Sequence, residues 1–144
     1  MPAQSHRSPT LALTDTLTLK SSAGASHTFN LLYKDINGTK RIDVAGTLTE
    51  PGPNVIKHTT SGQGVNIVDR HLIQFSKTLL DALGVPRTAT VNMTIALPRS
   101  VVLTNTVVAD LISYLVSLIT DGSFSATTGM AGTTNLASLL RNES

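Results

Sequence analysis

The feature that most constrains the fold is a change of hydrophobic period on either side of Pro98. From Ala89 to Leu97, Val91, Met93, Ile95 and Leu97 alternate with Thr90, Asn92, Thr94 and Ala96. That is the pattern of a strand with one buried face. Beyond Pro98 the spacing lengthens to about 3.6 residues, with Val108, Leu111, Ile112, Leu115, Leu118 and Ile119 in one stripe. Asn105 or Thr106 is placed to cap the start of this helix and Gly122 to end it.

Upstream of Pro98 the signals are those of strands. Leu11–Leu19 alternates leucine with threonine, Ser21–Ser26 contains a glycine turn, and His27–Lys34 reads as the return strand. Asn37-Gly38 is a hairpin dipeptide, after which Lys40–Thr49 reads as a third strand up to the break at Glu50–Pro53. Asn54–Thr60 and Val65–Leu80 are read as extended around a Ser61–Gly64 turn. Within the second of these, Leu72, Phe75, Leu79, Leu80 and Leu83 also fit helical spacing, but the alternation of Ile73, Phe75, Lys77 and Leu79 favours a strand. Ala82–Thr88 is a loop, and Asn135–Arg141, capped by Thr133 or Thr134, is a second short helix. Strands first and helices last define the α+β class.

A chain of 144 residues holds one domain. Residues 1–10 are expected to be a flexible arm, 11–98 the strands and 105–141 the two helices. The main helix is apolar over a wide arc, so it would be well covered in a homodimer with each subunit's helices on its partner's sheet; a monomer packing them on its own sheet is the alternative.

Only 14% of residues are charged, against roughly 25% in ordinary soluble domains. Threonine is the commonest residue. Both suit a strand-rich chain whose surface is partly covered by copies of itself. A net charge of +2 restricts polyanion binding to a local patch, or to one repeated over many copies. The absence of cysteine excludes disulfides, thiolate catalysis and cysteine-type zinc sites. Neither a secretory leader nor an apolar run long enough to cross a membrane is present, so a soluble, cytosolic chain is expected, with no membrane partner.

No catalytic signature stands out. His58 and His71 lie thirteen residues apart, which is no ligand spacing, and no metal site is expected from them. In Asp69-Arg70-His71 adjacent residues of a strand point to opposite faces and cannot form a triad. Ser61-Gly62-Gln63-Gly64 lacks the lysine and hydroxyl of a phosphate loop and reads as a turn. The expectation is a non-enzymatic protein without cofactor.

The run Asn92-Met93 through Pro98, a polar turn, an amphipathic helix and Asp121-Gly122 resembles the coat proteins of levivirus-type single-stranded RNA bacteriophages. The resemblance is dense over Thr88–Phe124 and elsewhere one of length and element order. It implies an N-terminal hairpin, a five-stranded antiparallel sheet and two C-terminal helices in an interlocked homodimer. Dimers would build an icosahedral shell around genomic RNA, placing the chain in a virion assembled in the bacterial cytoplasm. Met93, Ile95, Leu111, Ile112, Leu115 and Leu118 would then lie at the dimer interface, and Val91 and Leu97 would support the helices. Thr90, Asn92 and Thr94 would face the RNA, with Arg70, Gln74, Ser76, Lys57 and Thr59 beside them on neighbouring strands. Asn92 matches a position that contacts an RNA hairpin in the family. Thr90 stands where a relative has an aromatic ring, so stacking of roughly 1–3 kcal/mol is missing. Tight translational repression is less expected on that account than encapsidation. Outside this family, the same residues suit a non-viral RNA-binding or scaffold module, although aromatics at 3% make stacking-based recognition weak.

Overall fold

A computed structural model describes residues 13–122, 124–125, 127, 129–130 and 134–142. Strands β1 (Leu17–Lys20), β2 (Ser26–Asp35), β3 (Gly38–Asp43), β4 (Pro53–Ser61), β5 (Val68–Leu80) and β6 (Pro86–Pro98) form one antiparallel sheet in sequence order. Helix α1 (Asn105–Ile119), a two-stranded β7 (Phe124–Ser125) and β8 (Gly129–Met130), and α2 (Thr134–Leu140) follow. The class is α+β as expected. The N-terminal hairpin does not stand apart from a five-stranded sheet, however: its strands are the first two of a continuous six.

Local chemistry explains where the strands depart from the alternation. Strand β1 begins only at Leu17, although Leu13 and Thr14 continue the pattern; Leu11 lies outside the described residues. Extending β1 would require pairing beyond Phe29, where the register of β2 against β3 shifts between Leu31 and Tyr33. The buried Arg41 guanidinium also reaches this segment, donating to the carbonyls of Thr14 and Asp15 at 2.9 and 3.0 Å and to Thr39 Oγ1 at 2.8 Å. Those carbonyls serve a cation instead of a ladder. Strand β3 stops at Asp43, short of Thr49, because the Asp43 carboxylate accepts the Ala45 N–H at 3.0 Å and turns the chain.

The ambiguous segment around His71–Leu83 is strand as far as Leu80, paired along thirteen positions with β6. Its turn is held by Asp81, whose carboxylate accepts the Leu83 and Val85 N–H groups, both at 2.9 Å. Strand β6 consequently begins at Pro86, inside the expected loop.

Helix α1 starts one residue earlier than expected: Thr104 is its N-cap, with no side-chain capping bond, so neither Asn105 nor Thr106 takes that role. Its end is as read, with Gly122 at φ 71° and its N–H donating to the Ser117 carbonyl at 2.8 Å. The expected cap Thr133 lies outside the described residues. The cap of α2 comes from far along the chain instead, since the Asp121 carboxylate accepts the N–H groups of Thr134 and Asn135 at 2.8 and 2.9 Å. Asn135 Nδ2 donates back to the Leu118 carbonyl at 2.7 Å, fastening α2 to the end of α1.

Packing is sparse. Among the described residues Ile56 is the one buried apolar side chain. The chain exposes 10936 Å², where a compact monomer of this mass exposes about 7100 Å².

Replacing Asp121 by alanine removes both acceptors at the α2 N-terminus and puts a less tolerant residue at φ 53°. Asp121→Ala is expected to lower stability by about 1–2 kcal/mol in urea unfolding, with Asp121→Asn, which keeps an acceptor oxygen and tolerates this backbone, losing less.

Candidate nucleic-acid and subunit interfaces

Directly opposed residues of antiparallel strands share a face, so the register sorts the sheet into two surfaces. One carries Phe29, Leu31, Ile56, Ile73, Phe75, Val91, Met93, Ile95 and Leu97. The other carries the rows Lys40, Val55, Gln74, Asn92 and Lys57, Leu72, Thr94, then Thr59, Arg70, Ala96 and the pair Ser76, Thr90.

All eight residues expected to face RNA thus lie on the second, polar surface. Gln74 Nε2 donates to Asn92 Oδ1 at 2.9 Å across β5 and β6. Arg70 bonds Ser61, while Lys57, Thr59, Thr90 and Thr94 are exposed. Lys40 was missed by sequence reading; the Asn37-Gly38 turn could have found it, because a turn there fixes which β3 residues share a face with Lys57. Thr78 and Thr88, hydrogen-bonded at 2.8 Å, extend the same surface.

Charge separates by face as well. Strands β3 to β6 hold two carboxylates, Asp43 and Asp69, and both project from the apolar surface. The polar surface of these strands therefore carries Lys40, Lys57 and Arg70 with no acid among them. That is the composition a phosphate backbone requires.

On the apolar surface each of these acids has a local partner. Asp69 accepts from Arg99 Nε and Nη2 at 2.9 and 3.0 Å and from Thr60 Oγ1 at 2.8 Å. The Arg99 hydrogen bonds chiefly, then that of Thr60, pull the Asp69 carboxyl down to about 2. Asp43 meets His27 Nδ1 at 2.8 Å. Burial pushes Asp43 upward, but the Ala45 N–H, His27 and Lys77 together outweigh it and hold the group below its ordinary value.

The Phe29 and Phe75 rings touch edge to face, centroids 5.7 Å apart. Their strands are three places apart, about 14 Å on a flat sheet, so the apolar surface is concave there. A groove of about 650 Å³ opens on it, lined by Leu19, Phe29, Phe75, Val91 and Phe124 among others.

Helix α1 leaves much of this surface uncovered. Its stripe splits in two: Val108, Ile112, Val116 and Ile119 are half-buried, whereas Leu111, Leu115 and Leu118 are 62%, 46% and 55% exposed, beside Tyr114 at 69%. On the sheet Met93 and Ile95 are half-buried, and Val91 is 72% exposed. Of the residues expected at a dimer interface, Leu111, Leu115 and Leu118 share one open helix face, and Ile112 is half-buried beside it.

His58 and His71, thirteen residues apart in sequence, are direct cross-strand partners with Nδ1 atoms 2.9 Å apart. Arg70 points away from its neighbours Asp69 and His71, as expected of consecutive strand residues.

No protein-family model matches the sequence, and no curated protein matches it. Solved structures do. A bacteriophage EMS014 coat protein matches with a TM-score of 0.68 at 14% identity, over 92% of this chain and 98% of that one. A virus-like particle of Beihai levi-like virus 21 gives 0.62 at 12% identity, over 91% and 95%. A virus-like particle of bacteriophage EMS014 gives 0.60 at 16%, over 86% and 85%. The fold is thus one found in phage coat subunits, matched across nearly the whole length of both chains. These neighbours are a phage coat protein and virus-like particles, one of them of a levi-like virus, and the likeness is one of fold.

Asp69→Asn provides a test of the charge arrangement. A carboxylate whose folded value is about 2 against 3.8 unfolded adds stability that is fully present above 3.8 and is lost as pH falls through 2. The urea midpoints of the parent chain and Asp69→Asn are expected to differ at neutral pH and to converge toward pH 2.

Proposed function

We propose that this chain is the capsid subunit of a small single-stranded RNA bacteriophage, which dimerises, assembles into an icosahedral shell and packages genomic RNA. The observation that carries this reading is the two-faced sheet, with an apolar face its own helix does not cover and a polar face whose strands β3 to β6 bear Lys40, Lys57 and Arg70 without an acid, Asp35 at the end of β2 being the acid beyond them on that face.

Each half of the reading has its own physics. Apolar surface is driven from water at about 25 cal/mol per Å², and Leu111, Leu115 and Leu118 have no such shelter in the single chain. A second subunit laying this helix face on the concave sheet surface satisfies both at once, and the two-fold symmetry of a homodimer does so twice. On the opposite face Lys40, Lys57 and Arg70 neutralise phosphates, while Gln74, Asn92, Thr59, Ser76, Thr90 and Thr94 offer hydrogen bonds to bases and sugars. Thr90 supplies no ring for stacking, which favours encapsidation over tight binding of one hairpin. Catalysis has no part in this reading. The protein acts within a virion, and assembly in the bacterial cytoplasm follows from the same proposal.

Negative-stain microscopy of the chain expressed alone in bacteria, with the 260/280 nm absorbance ratio of the same fraction, tests the whole. Uniform shells containing nucleic acid are expected, and a small nucleic-acid-free species would point to a scaffold module. Leu115→Asp is expected to abolish dimers and shells together in size-exclusion chromatography, because it places a charge in an apolar contact. Soluble dimers of this variant would remove α1 from the interface. Lys57→Gln with Arg70→Gln is expected to leave dimers intact but to weaken RNA binding. Its logarithmic salt dependence should be shallower by about 1.4 for two lost phosphate contacts on a single strand.

A further inference from the structure

The His58–His71 pair has no role in the reading above. It lies on the apolar face, exposed at His58, in the row that continues to Ile95. The register opposes the two residues directly, so their side chains rise together from neighbouring strands. Their rings meet at 70° with centroids 5.0 Å apart, and the two Nδ1 atoms converge to 2.9 Å.

We propose that His58 and His71 form a two-histidine site for a divalent transition cation of the copper(II) or nickel(II) class. At metal–nitrogen distances of about 2.0–2.1 Å, two donors on one ion stand about 2.9 Å apart when cis at a right angle and about 3.4 Å apart in a tetrahedron. The observed separation is that of the right-angled pair, the geometry of tetragonal copper and nickel sites with nitrogen and oxygen ligands. In the metal-free pair one Nδ1–H donates to the other Nδ1. Binding moves that hydrogen to Nε2 of the same ring, so that both Nδ1 atoms present lone pairs and no net proton is released.

The surroundings set the strength of the site. Asp69 lies two residues along β5 on the same face, but its oxygens are held by Arg99 and Thr60, so it lends negative charge nearby without serving as a ligand. Among the described residues no cluster of three or more histidine, cysteine or acidic side chains exists. The remaining coordination positions are therefore water, and binding is reversible. A bound ion bridges β4 to β5, with each histidine three residues from the end of its strand at the Gly62–Ile67 connection. The site is built by strand register, at the exposed His58 edge of the face that the proposed dimer covers with a second subunit.

The test is calorimetric titration of the purified full chain with nickel chloride, repeated with copper(II) for electron paramagnetic resonance. One saturable site per chain is expected, with copper spectra showing two equivalent nitrogen donors. His58→Asn and His71→Asn should each weaken nickel binding by about tenfold or more, while the double variant His6→Asn, His27→Asn retains it. Absence of saturable binding, or binding unchanged in both His58→Asn and His71→Asn, overturns the proposal. Electron microscopy of the same samples reports separately on shell formation, so a failed metal site and a failed capsid reading remain distinguishable.

Discussion

The structure depends on an apolar sheet face that the chain cannot cover by itself. In a self-sufficient α+β domain the helices lie on the sheet and the space between them becomes the core. Here α1 has its main contact with α2 and not with the sheet; Val108, Ile112, Val116 and Ile119 are half-buried, and Leu111, Leu115 and Leu118 stay on open surface. Among the described residues a single apolar side chain is buried. What the isolated chain does possess is polar fastening. Arg41 ties the segment before β1 to the sheet, Asp81 closes the β5–β6 turn, and Asp121 seats α2 on the end of α1. Such bonds, at about 0.5–1.5 kcal/mol net each, define a shape more than they stabilise it.

Much of this was legible in the sequence because it depends on period. The alternation of Val91, Met93, Ile95 and Leu97 marks β6, and the change of spacing after Pro98 marks α1, since each reflects which side of a local element meets water. The turn at Asn37-Gly38 was equally readable, and there space rather than flexibility demands glycine: a Cβ at Gly38 would collide with the Ile56 carbonyl on β4. The misses share a different cause. The early stop of β3 follows from Asp43, whose carboxylate binds the Ala45 N–H two residues on, a turn that alternation alone does not show; the late start of β1 follows from Arg41 and the cap of α2 from Asp121, side chains acting on backbone far along the chain. Local pattern carries no record of such contacts. Separation along the chain likewise hid that His58 and His71 are cross-strand neighbours, because a hairpin erases sequence distance.

The candidate RNA surface was partly readable for the same reason. Given β5 and β6, alternation alone assigns Arg70, Gln74, Ser76, Thr90, Asn92 and Thr94 to one face. Lys57 and Thr59 need the turn between β4 and β5, and Lys40 needs the next turn as well, so the error in each assignment grows with every hairpin crossed.

One register specifies both faces, and this ties the two proposed activities together. A slip by a single residue along β5 would carry Ile73 and Phe75 to the polar side and Arg70 and Gln74 to the apolar side, removing the cationic patch and the docking surface in one step. The turns that set the register are therefore under a double constraint. Gly62, at φ 92°, begins the β4–β5 connection where a Cβ would strike the Asn66 carbonyl. Asp81 closes the next connection by holding the Leu83 and Val85 N–H groups and pairing with Arg87. Residues outside both proposed interfaces thus decide whether either can form. The mild net charge of +2 is consistent with this division: in the proposed shell a three-cation patch repeated over many copies would hold a single RNA through multivalency, while each subunit keeps the low charge that close packing against its neighbours requires.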